Sequence, residues 1–248
     1  MSFQNDIRFL LASYRPLRLE ESEAVKLMNR VDTKYIIRTD DVPELLHDMQ
    51  PHYHVLEVTS HRTGSYTTTY FDTSDRQMFN AHITGRFPRY KVRERLYSQN
   101  GLKFFEVKQK SNKGRTSKKR VLLTEKNNSA YDWLSQKIPF HTDELTPALI
   151  ISFERITLIN NLHTERLTLD FNLHFQAPFG AVTPVYDRVA IVELKQDRTA
   201  NSPIRESLRY RGIRPGSVSK YCTGMFLTGC ETGYKQYKPN FSRFLKAY

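Results

Sequence analysis

The clearest pattern along this chain is alternation. In 89–97 (RYKVRERLY), Lys91, Arg93 and Arg95 fall on one parity and Val92 and Leu96 on the other. A period of two belongs to a strand with unlike faces. The same pattern recurs in 102–110 (LKFFEVKQK), where Glu106 and Lys108 alternate with Phe105 and Val107, and in 116–123, where Lys118 and Arg120 share a face. In 165–175, Arg166, Thr168 and Asp170 alternate with Leu167, Leu169 and Phe171; in 188–196, Glu193 and Lys195 alternate with Val192 and Leu194. Stretches 31–38, 53–59, 65–71 and 149–159 also read as strands. Asn100-Gly101 is a strong hairpin signal between two of these runs.

Helical segments lie between the strands. Residues 20–30 form one amphipathic stretch, and Asp40 offers an N-cap for VPELLHDM. A helix within 72–85 stops at Gly85; others are expected over 131–138, from Pro203 onward and over 219–228. The basic tail 234–248 is read as loosely ordered. About nine strands and five or six short helices result, mostly with sequential strands and no linker. This predicts an α+β fold, mainly antiparallel, in one domain over 1–248 with its core at about 19–230.

An ordinary antiparallel sheet buries its apolar face and wets the charged one. Solvated faces usually mix signs, however, and here cations outnumber acids on strand after strand. The helices also need an apolar surface to cover. A closed sheet with helices outside satisfies both demands and turns the charged faces inward, making a polar cationic lumen. Such a cluster repels itself unless a multiply charged anion occupies it. Arginine forks and lysine point charges suit phosphate oxygens. A carboxylate among them, Glu106 or Glu193, fits a divalent cation bridging to phosphate, since Mg²⁺ and Mn²⁺ take one or two carboxylates plus phosphate oxygens and water.

Composition agrees. The 248 residues carry a formal charge of +12, which favours polyanionic partners. The basic strands hold few interleaved aromatics for base stacking, so nucleic acid is disfavoured. Cys222 and Cys230 have neither metal nor redox spacing and read as small core residues. With no membrane-length apolar run and no signal-peptide pattern, the expected location is the cytoplasm, with the inner face of the membrane as a docking surface.

A series of short motifs then points to a family. Arg30-Val-Asp-Thr-Lys34-Tyr35, Thr69-Tyr-Phe-Asp72-Thr, Lys91-Val-Arg93, Phe105-Glu106-Val-Lys108 and Thr116-Ser-Lys118-Lys-Arg120 come first. Phe153-Glu-Arg155, Arg166-Leu-Thr-Leu-Asp170, Val192-Glu193-Leu-Lys195 and Ser219-Lys220-Tyr221 follow in order. Together they resemble the catalytic domain of vacuolar transporter chaperone (VTC) proteins, polyphosphate polymerases of the triphosphate tunnel metalloenzyme superfamily. The resemblance implies an eight-stranded antiparallel β-tunnel with helices packed outside. It implies that Lys34, Arg93, Lys108, Lys118, Arg155, Arg166 and Lys220 hold phosphates, with Lys91, Arg120 and Lys195 joining them. Glu193 would bind Mn²⁺ or Mg²⁺, with Glu106 as a second candidate ligand.

The implied activity is metal-dependent transfer of the γ-phosphoryl group of ATP, or another nucleoside triphosphate, onto a phosphate, pyrophosphate or polyphosphate end. Two alternatives stand beside it: a tri- or polyphosphatase using water in the same tunnel, and a module that binds polyphosphate or inositol phosphate without turnover. The triphosphatase branch opens with E-x-E-x-K, whereas here Glu21 and Glu23 are followed by Val25, which favours the polymerase branch. Any coupling to a membrane would run through a separate membrane-protein partner.

Overall fold

The computed structural model describes residues 3–23, 30–124, 129–180, 182–197, 201–232 and 237–248. Its strands are β1 (Pro16–Arg18), β2 (Arg30–Arg38), β3 (Tyr53–Glu57), β4 (Thr63–Asp72), β5 (Arg89–Tyr97), β6 (Leu102–Lys110), β7 (Thr116–Leu122), β8 (Thr146–Asn160), β9 (Glu165–Gln176), β10 (Val182–Tyr186) and β11 (Val189–Asp197). The helices are α1 (Phe3–Ala12), α2 (Leu19–Glu23), α3 (Val42–Met49), α4 (Gln77–Thr84), α5 (Ser129–Ser135), α6 (Pro203–Tyr210), α7 (Lys220–Leu227) and α8 (Lys238–Ala247).

Eight strands form the main path, in the order β2-β11-β9-β8-β4-β5-β6-β7. Every pairing along it is antiparallel. Laid flat, β6 and β2 would stand roughly 29 Å apart, six strand spacings of about 4.8 Å. Yet Lys108 on β6 feels the charges of Lys34 and Asp32 on β2 and of Glu193 on β11. The sheet therefore curls until its two ends face each other. Among the described residues β2 and β7 are not hydrogen-bonded to one another. The edge of β2 is met instead by the loop before α7, where Gly216 N–H donates to the Lys34 carbonyl at 2.8 Å.

The outer face is apolar and covered by helices. Ile7 and Leu11 of α1, Leu45, Leu46 and Met49 of α3, and Ile204 and Leu208 of α6 pack on the outward residues of β2, β11, β9 and β8. Met78 of α4 and Leu134 of α5 cover Val92 and Val107.

The inner face divides in two. One end is charged. The other is apolar and plugged: Leu149, Ile151, Leu173, Phe175, Val189 and Ile191 pack against α7 and α8. Gly224 of α7 lies so close that a Cβ there would meet Leu149, and Phe175 at 2.6 Å. A register shift against β8 between Ser152 and Glu154, with Asn172 of β9 at φ 50°, brings Leu173 and Phe175 to this inner side. The lumen is thus cationic along part of its length, where alternation alone predicts a continuous charged face.

Several element expectations change. Asp40 does not cap α3: it lies in a short 3₁₀ turn, and its carboxylate takes Arg38 at 2.7 Å. Residues 24–29 of the helix expected over 20–30 lie outside the described residues. The basic tail is ordered as α8, whose fully buried Phe244 packs edge-on to Phe175. Helix α1 and strands β1 and β10 were not anticipated. Cys222 is buried in the plug and Cys230 half-buried. No helix among the described residues is long and apolar enough to cross a membrane.

A candidate anion-binding lumen

Cross-strand register gathers the inward charges. Glu193 on β11 lies between Lys34 on β2 and Thr168 on β9. Its oxygens stand 3.9 Å from Lys34 Nζ and 3.8 Å from Lys195 Nζ, and its side chain is 16% exposed. Burial alone would raise this carboxyl; Lys34, then Lys195 and Arg155, outweigh it and hold it at about 2. Thr168 Oγ1 beside it is buried without a hydrogen-bond partner.

Asp170 on β9 anchors a second group. Arg155, opposite it on β8, donates Nε and Nη2 at 2.5 and 2.7 Å. Lys220, the first residue of α7, also donates to Asp170 and lies 4.3 Å from the Phe153 ring. Tyr66 and Phe153 stack at 5.3 Å, and Arg95 and Arg155 both lie over them. These pairings hold the Asp170 carboxyl well below the usual range despite its burial.

The third group is centred on Glu106, 1% exposed on β6. Arg93 reaches one oxygen through Nε at 2.6 Å and Nη2 at 2.5 Å, and Lys118 Nζ lies 2.5 Å from the other. Both oxygens already carry cations. Of the two carboxylates expected at a metal, Glu193 is the one with oxygens still open. Lys118 rather than Lys119 is the inward lysine of β7, since it pairs in register with Lys108.

Lys91 joins from β5, donating to Ser219 Oγ at 2.9 Å, and Lys34 donates to the Val218 carbonyl at 3.3 Å. Burial pushes Lys91, Lys118 and Lys220 down to about 8, and Lys108 is lowered by burial and by Lys34. Lys195 faces Arg166 across the β11–β9 pair. Arg120 departs from its neighbours: exposed on the edge strand, its guanidinium lies 4.8 Å from the Phe104 ring.

Ten basic positions singled out in the sequence thus fall on this wall or its rim. Sequence reading placed Asp170 and Arg95 on the charged inner face but gave them no role, and it gave none to Tyr66 and Tyr70. The aromatic floor becomes visible only once β4 and β8 are known to be neighbours.

A divalent cation can be weighed against this donor set. Among the described residues no three His, Cys, Asp or Glu side chains form a group that could hold a metal. Glu193 offers oxygens that its cations hold only at 3.8–3.9 Å, and the buried Thr168 hydroxyl across from it has no hydrogen-bond partner. The residues fit an ion that arrives with phosphate oxygens and water and gains one carboxylate from the protein.

Solved structures with a similar course of chain include a protein from Pyrococcus horikoshii OT3 (14% identity, TM-score 0.45, covering 77% of this chain and 93% of that one). A putative adenylate cyclase from Vibrio parahaemolyticus aligns at 16% identity and TM-score 0.43, over 88% and 99%. A putative adenylyl cyclase from Hippeastrum, described as having a dominant triphosphatase activity, aligns at 15% and 0.47, over 81% and 97%. No curated protein matches the sequence. The VTC domain model matches residues 29–228, which takes in every strand of the main path and all the lumen cations: the chain belongs to the VTC domain family.

Proposed function

We propose that this protein transfers the γ-phosphoryl group of a nucleoside triphosphate onto the end of a phosphate or polyphosphate chain held in the lumen. The observation that carries this reading is the convergence of Lys34, Lys91, Arg93, Lys108, Arg155 and Lys220 from four strands and α7 on one lumen, around a carboxylate that none of them grips closely. A single small anion does not call for so many cations; a row of phosphates does.

Phosphoryl transfer asks little covalent chemistry of a protein. The nucleophile is an acceptor phosphate oxygen, and the work lies in alignment and in stabilising charge on the transferring and leaving oxygens. Arg93 and Arg155 are themselves held by Glu106 and Asp170, so their guanidiniums are presented at fixed positions, as preorganised stabilisation requires. Lys91, Lys118 and Lys220 keep titratable protons within the lumen. Glu193, with Thr168 beside it, would hold Mn²⁺ or Mg²⁺, which when bound neutralises phosphate oxygens. The plug formed by α7 and α8 leaves the charged end as the route for substrate and product.

The test is product analysis. With ATP and Mn²⁺ the protein is expected to make polyphosphate chains together with ADP. Orthophosphate and ADP alone would overturn the transferase reading in favour of hydrolysis. Salt-sensitive anion binding with no ADP release would leave a binding module.

A further inference from the structure

The motif Thr69-Tyr70-Phe71-Asp72 has so far been given no chemistry. Tyr70 lies on the inner face of β4, directly opposite Arg93 on β5, and is 5% exposed. Its hydroxyl accepts a hydrogen bond from Arg93 Nη1 at 3.2 Å, and the guanidinium also lies 5.9 Å from its ring centre. On the other side the ring stacks on Tyr221 of α7 at 5.0 Å. Tyr221 donates to Asp72 at 2.6 Å. Asp72 in turn accepts the backbone N–H groups of Thr73, Met78 and Phe79 where α4 begins. Two helices therefore fix the phenol from behind, and its oxygen looks into the cations.

The surroundings of that oxygen are one-sided. From β5 come Arg93, Lys91 and Arg95. Glu106 on β6 is already engaged by Arg93. β8 places apolar Leu149 in register, and α7 brings Tyr221, followed by Cys222 and preceded by Lys220, whose ammonium is turned to Asp170. Burial alone would raise the phenol, yet Arg93, then Lys91 and Arg95, bring it down to about 7, against an ordinary tyrosine value of about 10.

We propose that Tyr70 is a positioning residue for Arg93, a resident counter-anion that holds the guanidinium while the lumen is free of phosphate and releases it on taking up a proton. This rests on the lumen being a phosphate site. When phosphate oxygens reach Arg93, an N–H···O bond passes from the phenolate to phosphate. The phenolate, stripped of its closest cation, gains one proton from solvent and forms an O–H bond. Because the bound state then carries one more proton, binding weakens as pH rises above about 7, by about tenfold per pH unit for one proton. Tyr70→Phe lacks this component while keeping Lys91, Lys118, Lys220 and the ring stack on Tyr221.

The experiment is a near-ultraviolet titration of the full chain and of Tyr70→Phe, followed by addition of inorganic tripolyphosphate at pH 8 with parallel calorimetry. The wild type is expected to show one phenolate band growing in around pH 7, absent from the variant and removed by tripolyphosphate. The ratio of variant to wild-type affinity should rise about tenfold per pH unit above that point. Identical titrations of the two proteins would overturn the proposal, and the wild-type curve alone decides this if the variant folds poorly. A phenolate band that survives saturating tripolyphosphate overturns it too. Tripolyphosphate failing to bind either protein overturns both this proposal and the phosphate reading beneath it. Tight binding without polymer formation counts against transfer only.

Discussion

β6 and β11 carry nearly the same phrase, Phe105-Glu106-Val107-Lys108-Gln109 and Val192-Glu193-Leu194-Lys195-Gln196. In both, the apolar residues face the covering helices and the glutamate faces the lumen. Their neighbours differ. Glu106 is flanked in register by Arg93 and Arg120, with Lys118 next along β7. Glu193 is flanked by Lys34 on one side and by the neutral Thr168 on the other. Glu106 is consequently sealed, with cations at 2.5–2.6 Å, whereas the nearest cation of Glu193 stands 3.8 Å away. A strand's own spacing chooses the face of a side chain; the strands beside it choose its work. Glu106 is a keystone for cations, and Glu193 is held only at longer range by Lys34 and Lys195.

The largest expected effect that could break this comparison is on stability. Glu106→Ala leaves Arg93 and Lys118 without their buried partner and should cost about 3–5 kcal/mol in urea unfolding. Glu193→Gln breaks only contacts of 3.8–3.9 Å and should cost clearly less than Glu106→Ala. Equal losses would mean that the two carboxylates do the same job.

Next in size is the effect on turnover. Glu193→Gln should keep its fold, by circular dichroism and unfolding midpoint, and lose about 10²-fold or more in Mn²⁺-dependent ADP release. Activity close to wild type would remove Glu193 from the metal's side and end the contrast.

The smallest effect is a slope. Both carboxyls are held below their ordinary value of 4.5, Glu193 at about 2 and Glu106 lower still. Groups depressed on folding stabilise the protein above that ordinary value, and the contribution is lost as pH falls toward the folded value. Wild-type stability should therefore drop between about pH 4.5 and 2. Glu106→Gln should flatten that drop by up to one proton, about 1.4 kcal/mol per pH unit. The flattening should extend below pH 2 for Glu106→Gln and level off near 2 for Glu193→Gln, as read from urea midpoints at stepped pH.

Much of this was legible in the sequence, and the reasons are local. β5 and β6 run over the residues that alternation marked out, because Asn100-Gly101 pins the turn and the flanking periods are clean. The connection takes in residues 98–101, so Tyr97 pairs with Leu102 and Arg93 with Glu106; a two-residue Asn100-Gly101 turn would have set Arg93 opposite Lys108, and the sealing of Glu106 was therefore not legible from the turn alone. The plugged half was not legible either. It depends on the displaced register at Asn172, which turns Leu173 and Phe175 inward, and on α7 returning from far along the chain. α8 was hidden by its basic residues, although Phe241 and Phe244 already stood one helical turn apart. The looser contact of Lys34 with Glu193 was invisible for a related reason: it belongs to a pairing between strands about as far apart in sequence as this chain allows.

That pairing also sets a timetable. The β5–β6–β7 hairpins are contiguous, so the pocket around Glu106 can close soon after its residues leave the ribosome. β2 must wait for Val189–Asp197 before Lys34 meets Glu193, and Lys220 arrives later still. Local contacts form quickly and distant ones slowly. A nascent chain would thus own a finished cation cluster long before it owned a working lumen, and would meet cellular phosphate with half a grip.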